Sequence, residues 1–210
     1  MKIQIRDVTK YIKKTLILDK VTLDFSGGRV YGLQGPNGSG KTMLMRLIAG
    51  LIKPSFGEVR IDGKKLGTDI EFPPSMGLLL ENPAFLLPYT GLRNLELLAS
   101  INGIIGINQC RQALLDVGLD PDDKRKYKKY SLGMKQRLGI AAAIMEKPDL
   151  ILLDEPTNAL DDMGVEQVCQ LIEREKKRGA VVIISCHDPL VLEKISDEIL
   201  SVSEGRVERR

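Results

Sequence analysis

The sequence predicts an α/β domain with a β-rich layer at its N-terminus and a helical lobe inserted between two stretches of mixed strand and helix. Three observations carry that prediction. Apolar and polar residues alternate at period two through Ile3-Gln4-Ile5 and Val21-Thr22-Leu23-Asp24-Phe25, the pattern of half-buried antiparallel strands. From residue 150 onward, short apolar runs alternate with helical segments, as in a sheet of parallel strands. Between about 84 and 148 the strand signals stop and three helix starts follow one another.

Taken in order, Ser26-Gly27-Gly28 turns the second strand into Arg29-Val30-Tyr31-Gly32-Leu33, a third strand. The helix Met43 to Ala49 follows it after nine residues. Lys53-Pro54-Ser55-Phe56-Gly57 is a turn, Glu58 to Ile61 a strand and Asp62-Gly63 a hairpin signal. Ser75-Met76-Gly77-Leu78-Leu79-Leu80 is a continuous apolar run, which predicts a strand covered on both faces and ending at Glu81-Asn82-Pro83. In the lobe, Thr90 is placed to cap a helix to about Asn102, Asn108 one to Val117 with Gly118 as its stop, and Ser131 one to Glu146 with Pro148 beyond. A strand over Leu150 to Asp154 then begins the second α/β stretch. A helix over Met163 to Arg178, a strand over Ala180 to Ser185, a helix over Pro189 to Ile195 and a strand over Glu198 to Val202 complete it. The expected organisation is one domain, with residues 1–83 and 149–210 as core and 84–148 as lobe.

With 210 residues, 43% of them hydrophobic and 4% aromatic, the chain can bury its own core. Lys plus Arg number 31 against 28 Asp plus Glu, a net charge of +3. So small an excess argues against a nucleic-acid partner, and the basic run Lys124 to Lys129 reads as a solvated loop. Cys110, Cys169 and Cys186 form no CxxC pair, which argues against a disulfide framework or zinc and fits a reducing compartment. No apolar run approaches the ~18 residues a membrane span needs, and the first residues lack a signal peptide's apolar segment. The expectation is a cytoplasmic protein.

The eight residues leading into the first helix are Gly35-Pro36-Asn37-Gly38-Ser39-Gly40-Lys41-Thr42, with the spacing of a phosphate-binding loop. Its glycines let backbone N–H groups converge on an anion at the positive end of the following helix. Lys41 supplies a charge for the β- and γ-phosphates and Thr42 a hydroxyl for Mg²⁺. Leu150 to Leu153 is an apolar strand ending in Asp154-Glu155. Because side chains alternate along a strand, Asp154 can reach the Mg²⁺ while Glu155 faces the space beyond the γ-phosphate, there to position or deprotonate water. His187, the only histidine, follows another apolar strand. It can be structural, or it can donate to a γ-phosphate oxygen. Tyr11 can stack on a base or simply pack on its strand. Ser131-Leu132-Gly133-Met134 opens a helix as an ordinary N-cap or as a second anion site.

Together these motifs resemble the ATPase subunits of ABC transporters, and the resemblance runs from Met1 to about Arg206. Gly35 to Thr42 is similar to the Walker A loop, Leu150 to Glu155 to the Walker B strand with its catalytic glutamate, and Asn158-Ala159-Leu160-Asp161 to the D-loop. His187 is similar to the switch histidine and Tyr11 to the adenine-stacking aromatic. Tyr130-Ser131-Leu132-Gly133-Met134, followed by Lys135-Gln136-Arg137, resembles the signature motif, which in that family binds the γ-phosphate held by a second subunit. The resemblance implies an ATP and Mg²⁺-dependent ATPase of the P-loop type. It also implies a second cassette, identical or paralogous, and a transmembrane permease holding both at the cytoplasmic face of the membrane.

Two positions depart from the family's pattern. The signature keeps only Ser131 and Gly133 of Leu-Ser-Gly-Gly-Gln, and Glu81 stands where Gln usually links Mg²⁺ to the membrane partner. A subgroup similar in both respects exports peptide antibiotics or confers immunity to them. Glu81 as a metal ligand would set two carboxylates, Glu81 and Glu155, near one attacking water, with Glu155 favoured as base by its rigid strand. The rival class is a small P-loop kinase, which leaves the signature-like helix unexplained.

Overall fold

The computed structural model describes residues 1–81 and 83–210. Its elements are β1 (Lys2–Ile12), β2 (Thr15–Ser26), β3 (Arg29–Gln34), α1 (Lys41–Ile48), β4 (Phe56–Ile61), β5 (Lys64–Lys65) and β6 (Met76–Leu79). There follow α2 (Gly91–Asn102), α3 (Ile107–Asp116), a 3₁₀ turn over Tyr127–Lys129, and α4 (Leu132–Ile144). The chain closes with β7 (Leu150–Asp154), α5 (Asp162–Arg178), β8 (Val181–Ser185), α6 (Pro189–Ile195), β9 (Glu198–Ser203) and β10 (Arg206–Arg209).

Two sheets form. The first has strand order β2-β1-β4-β5, and its pairs are antiparallel. The second runs β10-β9-β3-β8-β7-β6, parallel except for β10. Between them lies one apolar core, where Ile3, Ile5 and Phe25 of the first sheet and Leu33, Leu152 and Ile183 of the second close on Leu44, Met45, Leu47 and Ile48 of α1. The other face of the parallel sheet packs on α4, α5 and α6, and that core continues into α2 and α3 through Leu95, Ala99, Cys110 and Leu114. Burying both faces is why β7 and β8 read as unbroken apolar runs. It also fixes the carboxyl ends of β3, β7 and β8 side by side, where α/β sheets place ligands.

Several expectations need correction. β6 is an edge strand bonded only to β7, and Leu78 is exposed, so the apolar run is not covered on both faces. Gly77 sits tightly on α4 and Leu79 is buried beside it, whereas on the other face Met76 and Leu80 pack in part against the second core and Leu78 between them is exposed. The N-cap of α3 is Gly106, two residues before Asn108, and Gln109 Oε1 accepts the Gly106 N–H at 3.1 Å. α4 stops at Ile144, short of Glu146, and Lys147 takes φ 52°. β1 and β2 are far longer than their alternating segments, because bulges at Arg6–Tyr11 shift the register and break the period. β10 carries no sequence signal and forms by pairing with β9. Asn82, part of the expected strand end Glu81-Asn82-Pro83, lies outside the described residues.

Candidate active site

The eight-residue loop wraps the N-terminus of α1. Gly38 and Gly40 take left-handed φ of 77° and 115°, which glycine adopts without a Cβ penalty, and between them the Ser39 N–H donates back to the Pro36 carbonyl at 3.2 Å. Lys41 is buried, and its Nζ donates to the carbonyls of Gly35 (2.6 Å) and Pro36 (3.1 Å). The charge is thereby held at the mouth of the loop. A cavity of about 340 Å³ opens there, lined by Ile17, residues 37–43, Asp154, Glu155 and His187.

Two carboxylates enter that cavity in different ways. Thr42 Oγ1 donates to Asp154 Oδ2 at 2.5 Å, and Ser185 Oγ donates to Asp154 Oδ1 at 2.5 Å. The same Ser185 oxygen accepts the Glu155 N–H at 3.0 Å. β7 ends at Asp154, and Glu155 has φ 53°. The two acids therefore diverge through a left-handed turn, not through strand alternation. Glu155 Oε1 lies 3.4 Å from His187 Nε2, while its buried Oε2 has no hydrogen-bond partner among the described residues. Burial, first, and then the charge of Asp154 push its carboxyl above the ordinary range, with His187 and Lys41 pulling the other way.

Hard oxygen donors are what Mg²⁺ takes, and Thr42 Oγ1 beside Asp154 Oδ2 at the phosphate loop offers them. The unpartnered buried oxygens Ser39 Oγ and Glu155 Oε2 in the same cavity add to the fit. Glu81 stands apart. It does not line the cavity; its Oε1 pairs with Arg46 Nη2 at 2.6 Å, and its backbone takes φ 61°. In this structure the Glu81 carboxylate is thus turned to Arg46, outside the lining it shares a strand-end level with.

Tyr11 lies near the end of β1, half exposed and opposite Leu16, one residue from the cavity-lining Ile17. Its ring does not line the cavity. Ser131 caps α4, its Oγ accepting the Met134 N–H at 3.2 Å, and Leu132 is exposed. None of Ser131, Leu132, Gly133 and Met134 reaches the cavity of its own chain. Gly133 instead abuts the loop Asn158-Ala159-Leu160: a Cβ there would lie 2.7 Å from the Ala159 carbonyl oxygen. Asp161 caps α5 and binds Arg137 of α4 at 2.9 Å.

Sequence reasoning missed three side chains. Ser185 was legible as the lone polar residue ending an apolar strand in register with Asp154. Gln136, whose Nε2 donates to the Glu155 carbonyl at 2.9 Å, was visible only as part of a motif. Arg46 lies four residues after Thr42 on α1 and so shares its face.

The ABC transporter family model matches residues 18–158. The chain is 47% identical over 206 residues to an uncharacterized ABC transporter ATP-binding protein, YybJ, of Bacillus subtilis, covering 98% of this chain and 94% of the relative. It is 37% identical to the bacitracin transport ATP-binding protein BcrA of Enterococcus faecalis (98% and 67% covered). To the lantibiotic transport ATP-binding protein SrtF of Streptococcus pyogenes it is 34% identical (98% and 88%). Among solved structures, the dimeric bacterial ABC transporter cassette MJ0796 superposes with a TM-score of 0.86 at 29% identity, covering 99% of this chain and 97% of that one. The phosphate loop whose hydroxyl meets a strand-end carboxylate falls within the matched residues, and the chain belongs to the ABC transporter family as its ATP-binding, ATP-hydrolysing subunit.

Proposed function

We propose that two copies of this cassette, or this chain and a close paralogue, sandwich two ATP molecules and drive a separate transmembrane permease from the cytoplasmic face of the membrane. The observation that carries the reading is the buried Oε2 of Glu155, without a hydrogen-bond partner among the described residues, in the phosphate-loop cavity, with the Ser131 to Met134 turn lying outside that cavity. A γ-phosphate lying against Lys41 would present its far side to Glu155, and the open helix N-terminus at Ser131 would reach the phosphate of the partner.

Lys41 and the amides of residues 35–42 hold the phosphates, and Tyr11 supplies a surface for the adenine. Thr42 and Asp154 would hold Mg²⁺, which when bound draws charge from the phosphate oxygens. Glu155 accepts the proton of the attacking water. His187 orients that carboxylate and donates to the γ-phosphate. The loop Asn158-Ala159-Leu160-Asp161 joins the two acids to the dimer face, and residues 84–148 form a lobe that moves against the core 1–83 and 149–210. The bacitracin and lantibiotic names of BcrA and SrtF support export of a peptide antibiotic as the transport task.

Light scattering of the Glu155→Gln variant tests the reading. With ATP and Mg²⁺ it should form a stable dimer, and without nucleotide it should be monomeric. A monomer under both conditions would remove the pairing of two identical copies and favour a paralogous partner or the P-loop kinase class.

A further inference from the structure

Glu81 and Arg46 form an ion pair at the edge of the phosphate site, and the functional reading so far gives it no task. Arg46 sits one helical turn, about 5.4 Å, beyond Thr42 on the same stripe of α1. On the other side, Leu79 of β6 is opposite Leu153 of β7, so Glu81 leaves its strand at the level at which Glu155 leaves β7. The pair therefore flanks the strand ends that carry Asp154 and Glu155, outside the lining of the cavity itself. It is made at 2.6 Å, with side-chain exposures of 33% for Arg46 and 63% for Glu81.

An ion pair that open adds little to folding stability, typically under about 1 kcal/mol. Its consequence lies in charge. Asp154 and Glu155 already place two carboxylates at the site against the single ammonium of Lys41. A third carboxylate left alone at this range would repel a triphosphate, through water and protein of intermediate dielectric. Arg46 cancels that charge at source, and holds the carboxylate toward α1 and out of the cavity.

We propose that Arg46 is the charge-compensating and positioning partner of Glu81, which lets a carboxylate stand at the mouth of the nucleotide site without weakening the binding of ATP phosphates. The proposal rests on the nucleotide-site reading above. It makes Arg46 and Glu81 a unit whose two members affect binding in opposite directions. Without Arg46 the carboxylate repels phosphate; without Glu81 a free guanidinium attracts it; without both the site returns to its parent charge.

The test is equilibrium binding of a fluorescent ATP analogue to the full chain in EDTA and 20 mM salt, so that neither metal nor turnover contributes. Arg46→Met should weaken binding three- to tenfold, Glu81→Gln should tighten it about twofold or more, and the double variant should lie within twofold of the parent. The differences should collapse at 0.5 M salt, where screening acts over only about 4 Å. Equal weakening in Arg46→Met and the double variant, persisting at high salt, would show that Arg46 acts by packing and would overturn the proposal. So would unchanged binding in Arg46→Met. Lys41→Ala, run beside them, separates the two failures: if it too binds normally, the nucleotide site itself is wrongly placed, and if it alone binds weakly, only the Arg46–Glu81 unit falls.

Discussion

The side-chain amide of Gln136 donates to the backbone carbonyl of Glu155 at 2.9 Å, tying the helix that carries Ser131 to the turn that aims the buried glutamate. Gln136 is itself buried, and the same carbonyl also accepts the Asn158 N–H at 3.2 Å, so removing Gln136 takes one of its two donors, at a cost of about 0.5–1.5 kcal/mol. Gln136→Ala should lower the melting temperature by several degrees and reduce hydrolysis about tenfold or more, because the turn at φ 53° loses a tether. ATP-analogue affinity should stay within twofold. A steady-state assay alongside a binding titration checks the split.

Lys41→Ala should weaken ATP-analogue binding at least tenfold, since a charge-assisted contact of about 1.5–3 kcal/mol is lost. Tyr11→Ala should weaken it less, because the ring lies outside the cavity wall and contributes one stacking face. Fluorescence titration of both variants gives the order, and a Tyr11 effect larger than that of Lys41 would contradict it.

Ser131→Arg, placed in the Glu155→Gln background, should abolish the ATP-dependent dimer by setting a bulky side chain where the partner's phosphate approaches. Ser131 also caps α4, so Ser131→Ala serves as control: it removes the cap, at about 1 kcal/mol, without the bulk. Retained dimerisation in the Ala variant and its loss in the Arg variant would separate the interface from the fold.

The raised carboxyl of Glu155 predicts two pH effects of fixed sign. Hydrolysis needs the ionised form, so it should fall on acidification at a pH above the ordinary carboxylate range. For stability, the native state keeps this proton to higher pH than the unfolded chain, so the parent loses stability as pH rises from the ordinary value to the raised one. Glu155→Gln lacks that loss. The two proteins should melt alike at acid pH, and the variant should melt higher as pH rises through the window, which thermal scans across pH will read.

The eight-residue phosphate loop, the strand ending in Asp154 and the cap at Ser131 were all legible in the sequence, because each is a local rule of spacing, period or capping that neighbours in the chain enforce. His187 could be placed at a strand end on the same grounds. Which groups meet was decided by the fold alone. Asp154 and Ser185 face each other because β7 and β8 pair in register, and Gln136 reaches Glu155 because α4 packs on that sheet. The left-handed turn at Glu155 is likewise tertiary, since a glutamate carries no intrinsic preference for positive φ. Glu81 shows the division most clearly. The sequence identified it as a carboxylate at the end of a strand, but its partner, Arg46, is 35 residues away. That contact exists because α1 and the end of β6 flank the same strand-end crevice, and an ion pair between distant segments leaves no periodic trace in sequence.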